Sequence, residues 1–453
     1  MYEPPKPSDP TVPGDKTKAN SRQILFIAIS DLVPALHNAR KHSRAQIRAI
    51  ARSIQAFGFN APILVDRNRQ IVAGHGRHEA AKLIGLTQVP VVFLDHLTEV
   101  QAKAYMLADN KLTDRSTFDD TKVAVQLKEL SELVLDFDLE DIGFEPPEID
   151  FRIQSLDTPD VADNADEFEA AVGPAVSIAG DLWYLGPHRL YCGNSFDRAV
   201  YVALMENEKA AAAFIDAPYN VPVDGHVCGN GSIKHREFAM ASGEMTEEQF
   251  TDFLSASLAA LCAHSIPGAL IYSCTDWRHV GEMRAAGRSS GCELLNICVW
   301  VKSNGGLGSL YRSRHELVFV FRNGRQVHLN NVQLGRFGRN RTNVWNYPGA
   351  YAFGRKGSEN ALELHPTVKP ITMVSDAILD STKRDDIVLD SYIGSGTTIL
   401  AAERAGRRCF GIEIDPIYVD TAIKRWERMT GREAQNAKNQ TFAQAKLDRG
   451  IAL

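Results

Sequence analysis

Between residues 387 and 415 the chain runs Ile387-Val388-Leu389-Asp390, then the turn Ser391-Tyr392-Ile393-Gly394-Ser395-Gly396. A helical stretch over 397–405 follows, and a second apolar run ends Gly411-Ile412-Glu413-Ile414-Asp415. Strand, tight turn, helix and strand make a βαβ unit, which sets two parallel strands in a sheet covered by helices. More α/β alternation precedes it. HRLYC, AAFID, GALIYSC, LLNICVWV and ELVFVFR are strand-like apolar runs, and 246–264 has the length and spacing of an amphipathic helix between two of them. In such sheets the turn after a strand is where ligands bind, because helix-start amides face outward and a glycine lets a ligand approach the backbone. Glu413, an acid at the tip of the second strand about twenty residues on, is placed to hold both hydroxyls of a ribose. The pattern predicts a nucleoside cofactor and leaves NAD and S-adenosylmethionine both open. Thr397, Thr398 and Ile399 follow Gly396 where a dinucleotide fingerprint has its third glycine, which disfavours a pyrophosphate.

With 453 residues the chain should hold two or three domains. Residues 1–22 are rich in Pro, Lys, Ser and Asp and read as disordered, with no apolar segment of a secretory signal. A compact mixed α/β unit of about a hundred residues follows. It contains a helix over 43–58 with Ser43 as its cap and Gly58 as its end, the short strands PILVD and QIVAG, a helix over 77–84, the strand VPVVFLD and a helix over 98–110. Residues 122–135 read as helical, and the acidic, Pro-containing stretch to about residue 173 reads as a flexible linker. The last twenty residues read as a frayed helix or tail. No run reaches the ~18–20 apolar residues of a membrane span, so no membrane is expected. Seven cysteines without a C-x-x-C pair read as reduced thiols in a cytoplasmic protein, with no metal site.

The net charge of −6 conceals a strong asymmetry. Residues 136–170 carry thirteen acids and one base, Arg152, whereas residues 301–356 carry ten Lys/Arg and one acid, Glu316. Local charge is what a phosphate experiences. The basic run also holds Tyr311, Trp345 and Tyr347, with Trp300 immediately before it. A solvated face and a nucleic-acid surface are equally good readings of it by itself.

Ala212-Ala213-Phe214-Ile215-Asp216-Ala217-Pro218-Tyr219-Asn220 is a strand that ends in acid, proline and aromatic. That order suits chemistry on an exocyclic amine. The Asp216 carboxylate accepts one N–H, the carbonyl of residue 217 or 218 accepts the other, and Tyr219 stacks on a base that has left its duplex. Asp and Pro are also common in a plain strand-end turn, and on these residues alone that reading is the better one. DAPYN resembles the D-P-P-Y motif of the DNA amino-methyltransferases acting on adenine N6 or cytosine N4, and 391–396 resembles their cofactor loop. His365-Pro366-Thr367-Val368-Lys369-Pro370 is similar to the H-P-T-x-K-P segment of the β-type order. In that order the catalytic half precedes a target-recognition region and then the cofactor half. The matches span about 240 residues in that order.

The resemblance implies a doubly wound mixed α/β sheet of the S-adenosylmethionine-dependent methyltransferase type, circularly permuted. It implies Asp216, Pro218 and Tyr219 as catalytic residues. Asp390, Ile393, Gly394, Gly396, Glu413, Lys369, Thr367 and Asn194 would hold S-adenosylmethionine, with Lys369 and Thr367 closing the cofactor side and Asn194 replacing, through its amide oxygen, the acid that meets the adenine. Arg312, Arg314, Arg336, Arg339, Arg341 and Asn304-Gly305-Gly306 would meet double-stranded DNA. Two departures stand out: Ala217 replaces the first proline, which loosens the backbone, and Ser391-Tyr392 replaces Pro-Phe. Asp rather than Ser at 216 leans towards adenine N6.

Asn38-Ala39-Arg40-Lys41-His42, Pro62-Ile63-Leu64-Val65-Asp66 and Gly74-His75-Gly76-Arg77-His78 resemble the ParB-like, sulfiredoxin-like domain over about residues 25–115. There Gly74, Gly76 and Arg77 would form a phosphate loop at a helix start, with His75 and His78 as polar residues around it. Sulfiredoxin chemistry needs a cysteine, and residues 1–191 contain none. The expected layout is 1–22 disordered, 23–120 ParB-like, 121–175 helix and acidic linker, 176–432 methyltransferase with 301–356 as target-recognition region, and 433–453 tail. The expected function is transfer of a methyl group to adenine N6 in DNA, in a restriction–modification setting. The alternatives are cytosine N4, RNA or a protein amide as acceptor, and a ParB-like DNA-binding protein with a degenerate methyltransferase. A nucleotide at the ParB-like domain and a homodimer are the open partner questions.

Overall fold

The computed structural model describes residues 22–113, 118–156, 173–220, 243–302, 311–332, 341–348 and 369–451. The chain divides into two compact units, 1–145 and 146–453. Among the described residues no helix is long and apolar enough to cross a membrane.

The first unit holds β1 (Leu25–Ala28), α1 (Arg44–Phe57), β2 (Ile63–Val65), β3 (Ile71–Ala73), α2 (His75–Leu83), β4 (Gln88–Phe93), α3 (Glu99–Thr113) and α4 (Asp120–Ser131). Its sheet order is β1-β4-β2-β3, with β2 parallel to β4 and the other pairs antiparallel. Ile63, Val65, Ile71, Ala81, Val89 and Val91 form a fully buried core. Ser43 caps α1 by accepting the Gln46 N–H at 3.1 Å, and Gly58 ends it at φ +84°. Beyond α4 the chain returns to α1: Phe137 packs on Phe57 at 4.9 Å and Asp141 lies 3.6 Å from Arg52. These contacts tie part of the acidic stretch to the first unit.

The second unit begins with α5 (Pro146–Gln154). There follow β5 (Leu182–Leu185), β6 (His188–Cys192), α6 (Arg198–Met205), β7 (Ala210–Ile215), α7 (Glu247–His264), β8 (Ser265–Thr275), α8 (Val280–Ser289), β9 (Cys292–Val301), β10 (His315–Asn323) and β11 (Val344–Asn346). The chain closes with α9 (Ile371–Ser381), β12 (Ile387–Asp390), α10 (Thr397–Ala405), β13 (Arg408–Glu413), α11 (Pro416–Thr430), β14 (Gln435–Asn436) and α12 (Phe442–Asp448). Ten strands make one sheet in the order β11-β9-β10-β8-β7-β12-β13-β6-β5-β14. From β8 to β6 neighbouring strands are parallel, and β10 inserts antiparallel between β8 and β9. This is the doubly wound mixed sheet expected from the sequence. Both faces are covered. Val388, Phe214 and Leu270 point into one apolar layer, and Ile387, Leu389, Ile215 and Ile271 into the other.

The structure departs from the sequence reading in three places. Helices α6, α8 and α9 were not expected; α9 is buried over most of its surface, so its apolar residues show no stripe. Residues 433–453 are no tail: β14 pairs with β5, Phe442 is buried against Trp183 at 5.7 Å, and Arg449 bonds Asp181 at 2.7 Å. Two or three apolar anchors in a polar stretch suffice to hold it down. The described part of the acidic stretch also has fixed structure. Asp150 on α5 is buried and accepts both terminal nitrogens of the buried Arg407, at 3.1 and 2.8 Å. That pair gives a test. Asp150→Ala leaves a buried guanidinium without its carboxylate, so it should destabilise the second unit by roughly 3–5 kcal/mol, read as a lower urea midpoint; an unchanged midpoint would mean that α5 is not anchored through this pair.

Candidate active site

Strands β7 and β12 are hydrogen-bonded neighbours, with Ala212 opposite Val388 and Ala213 opposite Leu389. They are also the point where the chain winds off in opposite directions, and their C-terminal ends form the crevice in which open α/β sheets bind ligands. Asp216 follows β7, Asp390 ends β12, and Glu413 ends the neighbouring β13. Three sequence-predicted acids thus lie on three adjacent strand tips.

On the β12 side, the Asp390 carboxylate accepts the Thr398 hydroxyl (2.6 Å) and the Tyr392 N–H (2.9 Å). Glu413 accepts the N–H groups of Gly394 and Asp415, both at 2.9 Å. Gly394 adopts φ +52°, and a Cβ there would point into open space. Gly396 differs. At φ +88° it starts α10, and a Cβ would sit 2.7 Å from that of Ala422, so its missing side chain admits α11 rather than a ligand. Ile393 likewise supports the turn from beneath, since its side chain is buried over Gly411. Arg425, buried on α11, donates to the Ser395 carbonyl and hydroxyl at 2.9 Å and so braces the turn. The sequence reading missed this brace, which only the α10–α11 packing reveals. Gly193 N–H bonds the Glu413 carbonyl at 2.8 Å, which sets Asn194 at the neighbouring strand tip. The Asn194 amide oxygen accepts the Phe196 N–H at 2.9 Å, so the group expected to face an adenine is already engaged in a local turn.

On the β7 side the residues form a closed ionic cluster. Tyr219 donates its hydroxyl to Asp216 Oδ1 at 2.6 Å and lies 3.3 Å from Glu316 Oε2. Lys369 Nζ is 2.5 Å from Asp216 Oδ2 and 3.2 Å from Glu316 Oε2. Lys302 bonds Glu316 Oε1 and sits over the Trp300 ring at 4.8 Å. Lys369 therefore stands against the carboxylates of the β7 side, not on the cofactor side where the resemblance put it. The reading from sequence also passed over Glu316 and Lys302. The usable signal was Glu316 as the one acid between residues 301 and 356. Ala217 is buried in the core and Asn220 clamps the chain, accepting the N–H groups of Gly243 and Met245 at 3.1 Å. Packing thus supplies the rigidity that the missing proline would give.

Of the expected DNA contacts, Arg312 and Arg314 are exposed just before β10, at the same edge as the strand tips. Arg341 is a correction. Its guanidinium is held by Asp376 (2.9 Å) and Asp380 (2.7 Å) and lies over Trp345 at 5.2 Å, so it braces the protein instead of facing a partner. Thr367, Arg336, Arg339 and residues 304–306 lie outside the described residues.

In the first unit, Gly74 (φ +102°) precedes α2, and a Cβ on Gly76 would meet His42 and Ile50 at 3.0–3.1 Å. Arg77 donates to the Pro62 carbonyl at 3.2 Å, while its Nε is buried without a hydrogen-bond partner among the described residues. Burial, then the neighbouring His42 and His78, holds His75 below its usual range.

The two acidic groups of the second unit differ electrostatically. Burial raises Asp390 and Glu413 to about 7 each, because their hydrogen bonds come from neutral donors. Burial would also raise Glu316, but Lys369 and Lys302 outweigh it and hold that carboxyl at about 2. Burial raises Asp216, with Lys369 opposing and Glu316 adding. Burial and both carboxylates push Tyr219 well up, so its hydroxyl stays protonated and donates.

A pH dependence follows for the raised acids. Folded, Glu413 binds a proton more tightly than unfolded, so the stabilisation is complete below about pH 4.5 and is lost as pH rises through about 7. Glu413→Gln should remove a loss on the order of 3 kcal/mol at most between pH 4.5 and 8, measured as the change in urea unfolding free energy; the same pH slope in wild type and variant would rule out this titration.

Comparison with known proteins agrees with the two-unit division. Residues 210–424 match the family model described as DNA methylase, and residues 14–124 match that of the ParB N-terminal domain. The ParB-like nuclease domain-containing protein YnaK of Escherichia coli K12 is 40% identical over 79 residues, 17% of this chain and 91% of that protein. The type II methyltransferase M2.LlaDCHI of Lactococcus lactis is 30% identical over 167 residues, 35% of this chain and 60% of that enzyme. The chain thus spans less than two thirds of that relative. Among solved structures, the complex of M1.HpyAVI with S-adenosylmethionine aligns with 52% of this chain and 98% of its own at 20% identity and a TM-score of 0.36. The second unit thus carries the match to the DNA methylase model, and the match to the ParB N-terminal domain precedes it in the chain.

Proposed function

We propose that the protein is a DNA methyltransferase that moves a methyl group from S-adenosylmethionine to the N6 amine of an extruded adenine. The observation that supports this reading is the pairing of β7 with β12, since Asp216 and the Gly394 turn follow neighbouring parallel strands. The turn suits the cofactor. Among the described residues its outer side is open at Gly394 and Glu413 at the next strand tip has no cationic partner, and Glu413 carries acceptors for two ribose hydroxyls. Asp390, Glu413 and the Gly394 backbone are the residues to hold it, with Ile393, Gly396 and Arg425 shaping the turn. Thr367 and Asn194 are further candidates. When bound, S-adenosylmethionine supplies an electrophilic methyl group on a sulfonium.

The chain's own part is to make a poor nucleophile attack. An exocyclic amine has its lone pair conjugated into the ring. Asp216 accepts one of its N–H bonds and the carbonyl after it the other, which returns electron density to nitrogen and fixes its direction. Tyr219 offers its ring face to the base. The proton lost by the methylated nitrogen has the Asp216 carboxylate within reach, and burial raises that group's affinity for it. Arg312 and Arg314, exposed at this edge, would hold DNA phosphates. Adenine is favoured over cytosine by the Asp at position 216, and cytosine N4 is the second reading. In the first unit, the Gly74-to-Arg77 helix start, whose buried Nε has no hydrogen-bond partner among the described residues, suits a nucleotide phosphate or a DNA backbone.

Asp216→Ala should lower methylation of DNA by about 10³-fold and leave S-adenosylmethionine affinity by calorimetry within twofold; retained methylation would refute the role of Asp216. Nucleoside mass spectrometry of DNA methylated by the wild type should give N6-methyladenine. N4-methylcytosine would move the reading to cytosine, and bound cofactor without methylated product would favour a DNA-binding protein with a degenerate site. For the first unit, Arg77→Ala should weaken binding of a nucleoside triphosphate at least tenfold in equilibrium dialysis, and equal binding by the variant would remove Arg77 from that site.

A further inference from the structure

Resting on the reading above, we infer that Glu316 is a positioning residue for methyl transfer, the second acceptor to which the Tyr219 hydroxyl and the Lys369 ammonium turn when a target amine takes their place on Asp216. Both oxygens of Asp216 are already committed, Oδ1 to Tyr219 at 2.6 Å and Oδ2 to Lys369 at 2.5 Å. Each oxygen keeps a second lone pair, so an amine can join the donor already there, but it receives the full acceptor strength of that oxygen only when the resident donor gives way. A displaced buried donor left without an acceptor would cost more than the amine gains. Glu316 removes that obstacle, because its Oε2 is already 3.3 Å from the Tyr219 hydroxyl and 3.2 Å from Lys369 Nζ. The exchange therefore needs shifts of tenths of an ångström, not a rearrangement.

Glu316 is built for this. It lies within β10, in register with Trp300 on β9, so the strand fixes its position. It is 8% exposed and Lys369 is 4% exposed. Lys302 holds its other oxygen, leaving Oε2 as the one that faces Tyr219 and Lys369. Two carboxylates and two ammonium groups sum to zero charge before and after the exchange, so no net charge is buried by it. In a substrate-free site the same cluster keeps Asp216 occupied.

The test is a double-mutant cycle on the full-length protein, with kcat and KM for a DNA substrate measured under saturating S-adenosylmethionine. Glu316→Gln keeps the shape and removes the charge; it should lower kcat at least tenfold while cofactor affinity stays within twofold. Tyr219→Phe alone should cost severalfold at most. The double variant should be faster than Glu316→Gln alone, because the hydroxyl with nowhere to go is gone. Losses that simply multiply, or a Glu316→Gln variant as active as wild type, would overturn the proposal. Should Glu316→Gln lose cofactor binding through misfolding, Glu316→Asp in its place should retain more than a tenth of wild-type kcat, and a Glu316→Asp variant that binds cofactor but is inactive counts against it. A wild type that binds no S-adenosylmethionine would instead bring down the methyltransferase reading, and this proposal with it.

Discussion

The pairing of β7 with β12 is the contact on which the site depends. The strands are distant in sequence and meet in the middle of the sheet, each buried on both faces. Parallel register fixes where both end, so the residues immediately after them are forced to the same crevice. Nothing in the turns themselves could achieve this. A slip of one residue would send Val388 and Leu389 to the wrong layers, and the cost of exposing or misplacing such side chains protects the register. The site's geometry is thus set by core packing, and the loops only finish it.

On that frame the two halves of the crevice use opposite electrostatics. Asp390 and Glu413 are buried acids without cationic partners among the described residues, and burial raises each to about 7. Each accepts two neutral donors, so a ligand that brings positive charge or a further donor to them still gains. Asp216, partly exposed, and the buried Glu316 have two lysines between and beside them, which supply their partners from within the protein. A ligand there has to compete with an existing partner. Pre-paid binding on one side and gated access on the other suit a reaction in which a cofactor should be held before a base is admitted.

Much of this was legible in the sequence, for identifiable reasons. The unit over 387–415 announced itself because strand, glycine turn and helix are local, and because helix 397–405 appears with the bounds the residues suggested. DAPYN was legible because acid, proline and aromatic are adjacent in the chain. What stayed hidden was contact between distant residues. Arg425 under the turn, Asp150 under Arg407 and Glu316 between two lysines each join residues from different elements. Gly396 misled because a glycine that admits a ligand and one that admits a helix look alike until the Cβ direction is known. Arg341 misled because a basic run does not say which of its charges are already paired.

Ala217 shows how a motif can change without losing its geometry. Proline restricts backbone freedom through its ring, an effect exerted mainly on the unfolded chain. At 217 the same restriction comes from the folded side. The residue is buried against the core, Tyr219 two positions on is tied to Asp216 and Glu316, and Asn220 fastens the chain to Gly243 and Met245. A carbonyl between such fixed points has little room to turn. The substitution costs about 1 kcal/mol of stability, which a large domain with two covered sheet faces can absorb.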